Sequence, residues 1–199
     1  MTAESATQLV VVLLVATLLA SAGGWAPFGR TVWPPIALVL LGAAAVAAAV
    51  ADELDTGTRG VVTLLAALAA ATAVVGGGPL TTLVFSAVDA QAPSPGTGPD
   101  PIEAAGSVLR GGAWIGALER LGVFASLAVG MPEGVAVVLA LKGLGRYPEL
   151  RNPADSPGAA ERFIIGTFTS VLWAAACAGV LALASVSYTH LTLPTIYSV

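Results

Sequence analysis

Long apolar segments, each of the length needed to cross a membrane, recur along this sequence. The first runs from Ser5 to Gly24 without a charged residue. About 20 apolar residues in a helix match the thickness of the hydrocarbon core of a bilayer. Over the whole chain, 56% of the residues are hydrophobic and 10% are charged, whereas soluble domains carry about 25% charged residues. The sequence therefore predicts an all-α fold, a polytopic transmembrane helical bundle of about six helices.

Turn residues and charged loops separate the predicted spans. The segment before the first span lacks the basic residues of a secretory signal, so we interpret that span as retained. The six predicted spans are Ser5–Gly24, Trp33–Ala51, a third with its core at Gly60–Val75, Gly111–Gly130, Pro132–Tyr147, and a last one that begins at Ser156-Pro157 and ends near Ala184.

A run of three glycines and a proline follows the third span. Glycine is conformationally free and proline lacks an amide donor, so Gly76 to Pro79 is predicted to end that helix. Leu80 to Ala90 is too short to span and is interpreted as a short interfacial or re-entrant helix. The proline-rich stretch Ala92 to Pro101 is predicted to be an extended loop.

These boundaries divide the chain into four parts. Residues 1–78 form an N-terminal three-helix half, and residues 79–110 form the short helix and the Pro/Gly-rich loop. Residues 111–185 form a C-terminal three-helix half that contains the intramembrane charges, and residues 186–199 form a tail.

Ionisable residues inside the C-terminal half are the main candidates for a functional site. An ion at the centre of a bilayer costs about 2.5–3.5 kcal/mol on insertion scales, so such residues are expected to pair. Pairing that fixes helix register and a proton or ion relay are both open interpretations. The candidate intramembrane charges are Glu119, Arg120, Lys142, Arg146, Glu161 and Arg162.

Basic residues also predict the orientation. With six spans, most of the arginines lie in or beside loops on one side, and only Arg59 lies on the other. The positive-inside rule makes the first side cytoplasmic and leaves both termini outside. The predicted location is the bacterial cytoplasmic (inner) membrane, as a multi-pass protein.

Charged residues and glycines recur in a pattern between Gly106 and Val180. The pattern consists of Gly112-x-x-Ile115-Gly116-x-Leu118-Glu119-Arg120, Ala140-x-Lys142, Arg146-Tyr147 and Glu161-x-x-Ile164-x-Gly166-Thr167-x-x-Ser170. It resembles the C-terminal membrane region of uncharacterised bacterial and phage proteins, a domain of unknown function, and that half of short actinobacterial membrane proteins. The resemblance supports a shared set of charges and implies no activity.

The last residues have a different character. Val186 to Val199 resembles one translated reading frame of a transposase-type sequencing adapter, so Ser185 is interpreted as the last authentic residue. The only histidine, His190, lies in this tail.

Other chemistry finds little support in the sequence. A single cysteine, Cys177, excludes an intramolecular disulfide and a thiolate metal cluster. No cofactor or metal is predicted, no nucleophile, base and orienting group occur together, and no basic stripe indicates nucleic-acid binding. The expected partners are the lipid bilayer and another protein chain, the same or different, that packs on small-residue helix faces. We therefore expect a non-enzymatic membrane scaffold or interaction protein, with a small transporter or ion- or proton-conducting protein as the alternative.

Overall fold

The computed structural model describes residues 2–51, 54, 59–90, 112–151 and 159–186. Within these ranges the chain forms six α-helices and no strands, which confirms the predicted all-α bundle. The helices are α1 (Ala3–Gly23), α2 (Trp33–Val50), α3 (Arg59–Asp89), α4 (Gly112–Ala128), α5 (Glu133–Arg151) and α6 (Ala159–Val186).

Local sequence explains where the first two helices begin. The Thr2 hydroxyl accepts a hydrogen bond from the Ser5 amide at 3.3 Å and caps α1. Prolines at the start of α2 have a backbone already suited to a first helical turn. Between these helices, a Cβ at Gly29 would lie 2.2 Å from the Trp33 ring, so glycine allows the turn to close against that ring.

Helices α3 and α6 form the centre of the bundle, although they come from different halves of the sequence. Helix α3 packs against α1, α2, α4 and α6, and α6 packs against α2, α3, α4 and α5. Alanines that are fully buried, such as Ala73 of α3 and Ala174 of α6, allow the backbones to approach closely. Helix α5 lies at the edge, and none of its described side chains is fully buried.

Four helices are long and apolar enough to cross a membrane: α1, α2, α3 and residues Ala160–Ser185 of α6. Large apolar side chains such as Val39 and Leu172 are exposed on the outside of the bundle, as expected for surfaces that contact lipid. Helices α4 and α5 are not among these four. The 17 residues of α4 correspond to about 26 Å, slightly less than a hydrocarbon core of about 30 Å. The six-span topology stays a prediction.

One sequence prediction is wrong. Gly76 to Pro79 does not end the third helix, and Leu80 to Ala90 is not a separate short helix, because α3 continues without interruption to Asp89. The physical reason is that side chains from other segments, those of Trp25, Arg120 and Trp173, donate hydrogen bonds to carbonyls of this part of α3.

Several predicted features lie outside the described residues. They are the proline-rich loop Ala92 to Pro101, the helix start at Ser156-Pro157, residue Gly111 and the tail from Ser187 onwards.

Candidate functional site

Three carbonyl groups in the middle of α3 accept hydrogen bonds from side chains of other segments. The Trp173 Nε1–H of α6 donates to the Thr72 carbonyl at 3.1 Å. The Arg120 Nε–H of α4 donates to the Val74 carbonyl at 3.0 Å, and the Trp25 Nε1–H of the α1–α2 turn donates to the next carbonyl at 3.0 Å. One helical turn of α3 thus binds three other parts of the bundle.

Proline explains one of these bonds directly. In an α-helix the amide of residue 79 would donate to the carbonyl of Val75, but Pro79 has no amide hydrogen. A freed carbonyl in a membrane must find a donor within the protein. Trp25 supplies that donor from the α1–α2 turn.

The three glycines provide the space that these side chains occupy. A Cβ at Gly76 would lie 2.4 Å from Cζ2 of Trp173, and one at Gly77 would lie 2.2 Å from Cδ of Arg120. At Gly78, a Cβ would lie 2.8 Å from Cζ2 of Trp25. Each glycine therefore faces one of the three donor side chains, and we call Gly76–Pro79 together with Trp25, Arg120 and Trp173 the docking turn.

Sequence reasoning missed most of the docking turn. Arg120 was a candidate because it is charged, and it is buried, with 7% of its surface exposed. Trp25 and Trp173 were not candidates. The available signal was a Gly-Gly-Gly-Pro run inside an apolar segment, since proline in a membrane helix leaves a carbonyl that recruits a donor.

The Glu119 carboxylate and the Lys142 ammonium form an ion pair between α4 and α5. Both side chains are largely shielded, with 16% and 20% of their surfaces exposed. Next to this pair is a cavity of about 10 Å³. Its lining combines the charged side chains with a serine and four apolar residues: Glu119, Arg120, Val123, Val138, Leu139, Lys142, Ser170 and Val171.

The remaining candidate charges lie elsewhere. Arg162, in the first turns of α6, pairs with Asp89 at the end of α3 at 2.6 Å. Its guanidinium carbon also lies 5.8 Å from the centre of the Phe85 ring, within the range of a cation–π contact. Glu161 is exposed next to it, and Arg146 lies one turn beyond Lys142 on α5. Asp89 was not among the sequence candidates.

A metal-binding role finds no geometric basis in the part of the chain that the structure describes. No group of three His, Cys, Asp or Glu side chains there could hold a metal ion. Cys177 is fully buried in α6. The chemistry available at the site is therefore that of one carboxylate, two cations and a hydroxyl around a small cavity.

Comparisons of the chain with protein-family models, with curated proteins and with solved structures found no match. The candidate site is therefore interpreted from its own geometry.

Proposed function

We propose that this chain is a non-enzymatic membrane scaffold or interaction protein whose intramembrane charges hold its helices in register. The proposal rests on two contacts that these charged side chains make between helices. Arg120 joins α4 to α3 through the Val74 carbonyl, and Glu119 joins α4 to α5 through Lys142. We call these two contacts the polar clasp.

The size of the neighbouring cavity also supports a structural role. A volume of about 10 Å³ has room for about one water molecule. A relay needs a chain of water or titratable groups, whereas a clasp needs only the contacts between helices. Removing one partner of a buried ion pair typically costs about 3–5 kcal/mol, because the other partner keeps an uncompensated charge.

The alternative is a small ion- or proton-conducting protein, and one observation favours it. A carboxylate and an ammonium group line a cavity inside an apolar bundle, and intramembrane ionisable residues often mark an ion or proton pathway. The two functions differ in what Glu119→Gln is expected to change. It lowers the stability of a scaffold, whereas it abolishes the proton leak of a conducting protein.

The test of the clasp is a double-mutant cycle on Glu119→Gln and Lys142→Met. Each single substitution is expected to lower the thermal unfolding midpoint in detergent, and the double substitution is expected to recover part of the loss, with a coupling of about 0.5–3 kcal/mol. Cys177 provides the readout, since the only cysteine of the chain is fully buried and reacts with a maleimide dye once the bundle opens. Additive effects of the two substitutions would contradict the clasp.

Conduction is tested on the same proteins in vesicles that enclose a pH-sensitive dye. A scaffold is expected to give the same proton leak as vesicles without protein, and Glu119→Gln is expected to leave it unchanged. A leak that the native protein raises and Glu119→Gln abolishes would overturn the scaffold proposal and establish the conducting alternative.

A further inference from the structure

Helices α4 and α5 form an antiparallel hairpin at the edge of the bundle. Near the middle of both helices, Glu119 of α4 pairs with Lys142 of α5. Closer to the turn between them, a Cβ at Gly134 would touch the Ser126 hydroxyl. Positions later in α4 therefore contact positions earlier in α5. The chain turns at residues 129–132, and we call these residues the hairpin tip.

The length of the connection from α5 to α6 determines the direction of the hairpin. Residues 152–158 form this connection, and a chain of that length reaches at most about 29 Å. Lys142 and Ser170 of α6 line one cavity and thus lie at similar heights in the bundle. If α5 ran in the same direction as α6, Arg151 and Ala159 would be about 30 Å apart along the bundle axis, in addition to the spacing between helices of about 8–10 Å. The connection cannot span that distance, so α5 ends beside the start of α6.

The hairpin tip therefore points toward the side of the membrane on which α3 begins. The end of α3 lies beside the start of α6, because Asp89 pairs with Arg162. Helix α5 ends on that same side, and the tip is at the opposite end of α5. We call the side toward which the tip points the outer side, following the positive-inside rule.

The hairpin tip stops well short of the outer ends of the other helices. Arg120 lies at the docking turn, against Gly77 of α3. From Gly77 back to Arg59, α3 rises by about 27 Å, close to the thickness of a hydrocarbon core. From Arg120 to Val129, α4 rises by only about 14 Å. The tip thus lies about 13 Å below the outer end of α3.

The surroundings of the hairpin tip must provide polar groups. Glu133, immediately after the tip, is exposed, and a charged side chain is costly in hydrocarbon. Val129 and Met131 of the tip have 69% and 60% of their surfaces exposed, and Val137 on the outer face of α5 has 59% exposed. The described part of the bundle therefore leaves the tip open to the membrane. The groups available there are those of the lipids in the outer leaflet.

We propose that the α4–α5 hairpin thins the membrane locally, so that phospholipid headgroups of the outer leaflet contact the hairpin tip and Glu133. A bilayer adapts to a short apolar segment by becoming thinner around it. The outer surface of the bilayer is thus lowered by about 13 Å beside the hairpin, whereas α1 and α2 cross a bilayer of normal thickness. This lipid-shaping activity goes beyond a scaffold and does not depend on it, so either proposal can fail alone.

Spin labels on single introduced cysteines test the depth of the hairpin tip in vesicles that contain a nickel-chelating lipid. Nickel bound at the headgroups speeds the relaxation of a label that the headgroups contact. Met131→Cys reports the tip, and the native Cys177 is fully buried and stays unlabelled. The midpoint of Cys177 labelling on heating checks that each variant is folded.

Val12→Cys is the matched control at the same height on α1. Val12 is 62% exposed and lies about 14 Å above Ser21, whose hydroxyl lies against Gly76 of the docking turn. The nickel lipid is expected to enhance the relaxation of the Met131 label several-fold more than that of the Val12 label. Equal enhancement at the two positions would overturn the proposal.

Two further measurements separate local thinning from a water-filled recess. The Val137→Cys label lies nearer the cytoplasmic side on α5 and is expected to respond to the nickel lipid as weakly as the Val12 label. A strong response at Val137 would indicate a polar channel along the hairpin and contradict local thinning. A soluble nickel chelate that relaxes the Met131 label, together with a nickel lipid that does not, would show that water rather than headgroups surrounds the tip and would overturn the proposal.

Discussion

A methyl group at position 77 would clash with the arginine side chain that docks α4 on α3. A Cβ there would lie 2.2 Å from Cδ of Arg120, and that arginine is held by its bond to the Val74 carbonyl. Gly77→Ala is therefore expected to destabilise the protein by about 1–3 kcal/mol, the usual cost of overpacking. The loss is measured as a lower midpoint of Cys177 labelling in detergent.

Gly42→Ala is the matched control, because a Cβ at position 42 of α2 would meet nothing within 4 Å. Alanine is also a better helix former than glycine. The control is expected to be neutral or slightly stabilising. If Gly77→Ala and Gly42→Ala have the same midpoint of Cys177 labelling, the Arg120 side chain moves aside without cost, and Gly77 has no packing role.

The sequence predicted that intramembrane charges would seek partners, but not which partners they would choose. Arg162 pairs with Asp89, a residue that sequence spacing placed in a separate short helix. Arg120 binds a backbone carbonyl through Nε. Both choices depend on how the helices are rotated about their axes, and residue spacing within one segment does not determine that rotation.

Helix α3 remains continuous through Gly76–Pro79 because the lost backbone bond is replaced from another part of the chain. The sequence predicted a break there, as expected in water, where solvent satisfies a freed carbonyl. Within this bundle the Trp25 indole satisfies it, 50 residues away in the sequence. Local propensity therefore predicted that the spans are helical, but it could not predict the length of this helix.

The hydrogen bond from Trp25 to the Val75 carbonyl predicts an energetic coupling between Trp25 and Pro79. Trp25→Phe removes the donor to the Val75 carbonyl and is expected to cost about 1 kcal/mol, the net value of a typical hydrogen bond. Pro79→Ala restores a backbone amide that can donate to that carbonyl. The cost of Trp25→Phe is therefore expected to shrink in the Pro79→Ala background. The cycle is measured by Cys177 labelling.

Trp114→Phe is the control for the loss of an indole, since Trp114 is 75% exposed on α4. It is expected to change the midpoint little in either background. If Trp25→Phe costs the same with proline and with alanine at position 79, the indole does not compensate for the missing amide.

The end of α3 and the start of α6 lie on the same side of the bundle. Asp89 lies in the last turn of α3 and pairs with Arg162 in the first turns of α6, so these two ends face the same side. Helices α4 and α6 both donate to the middle of α3, Arg120 to the Val74 carbonyl and Trp173 to the Thr72 carbonyl. With six spans, the positive-inside rule predicts that the α1–α2 turn is cytoplasmic and that the α4–α5 turn is outside.

Cysteine labelling in bacterial cells tests that orientation and the number of spans together. Phe28 is fully exposed in the α1–α2 turn and Met131 is 60% exposed in the α4–α5 turn, while the buried Cys177 provides an unreactive background. We expect Met131→Cys to react with a membrane-impermeant maleimide in intact cells and Phe28→Cys to react only after permeabilisation. The reverse pattern would contradict the positive-inside assignment. Labelling of both cysteines from one side would show that α4 and α5 do not cross and would limit the spans to the four helices that are long and apolar enough.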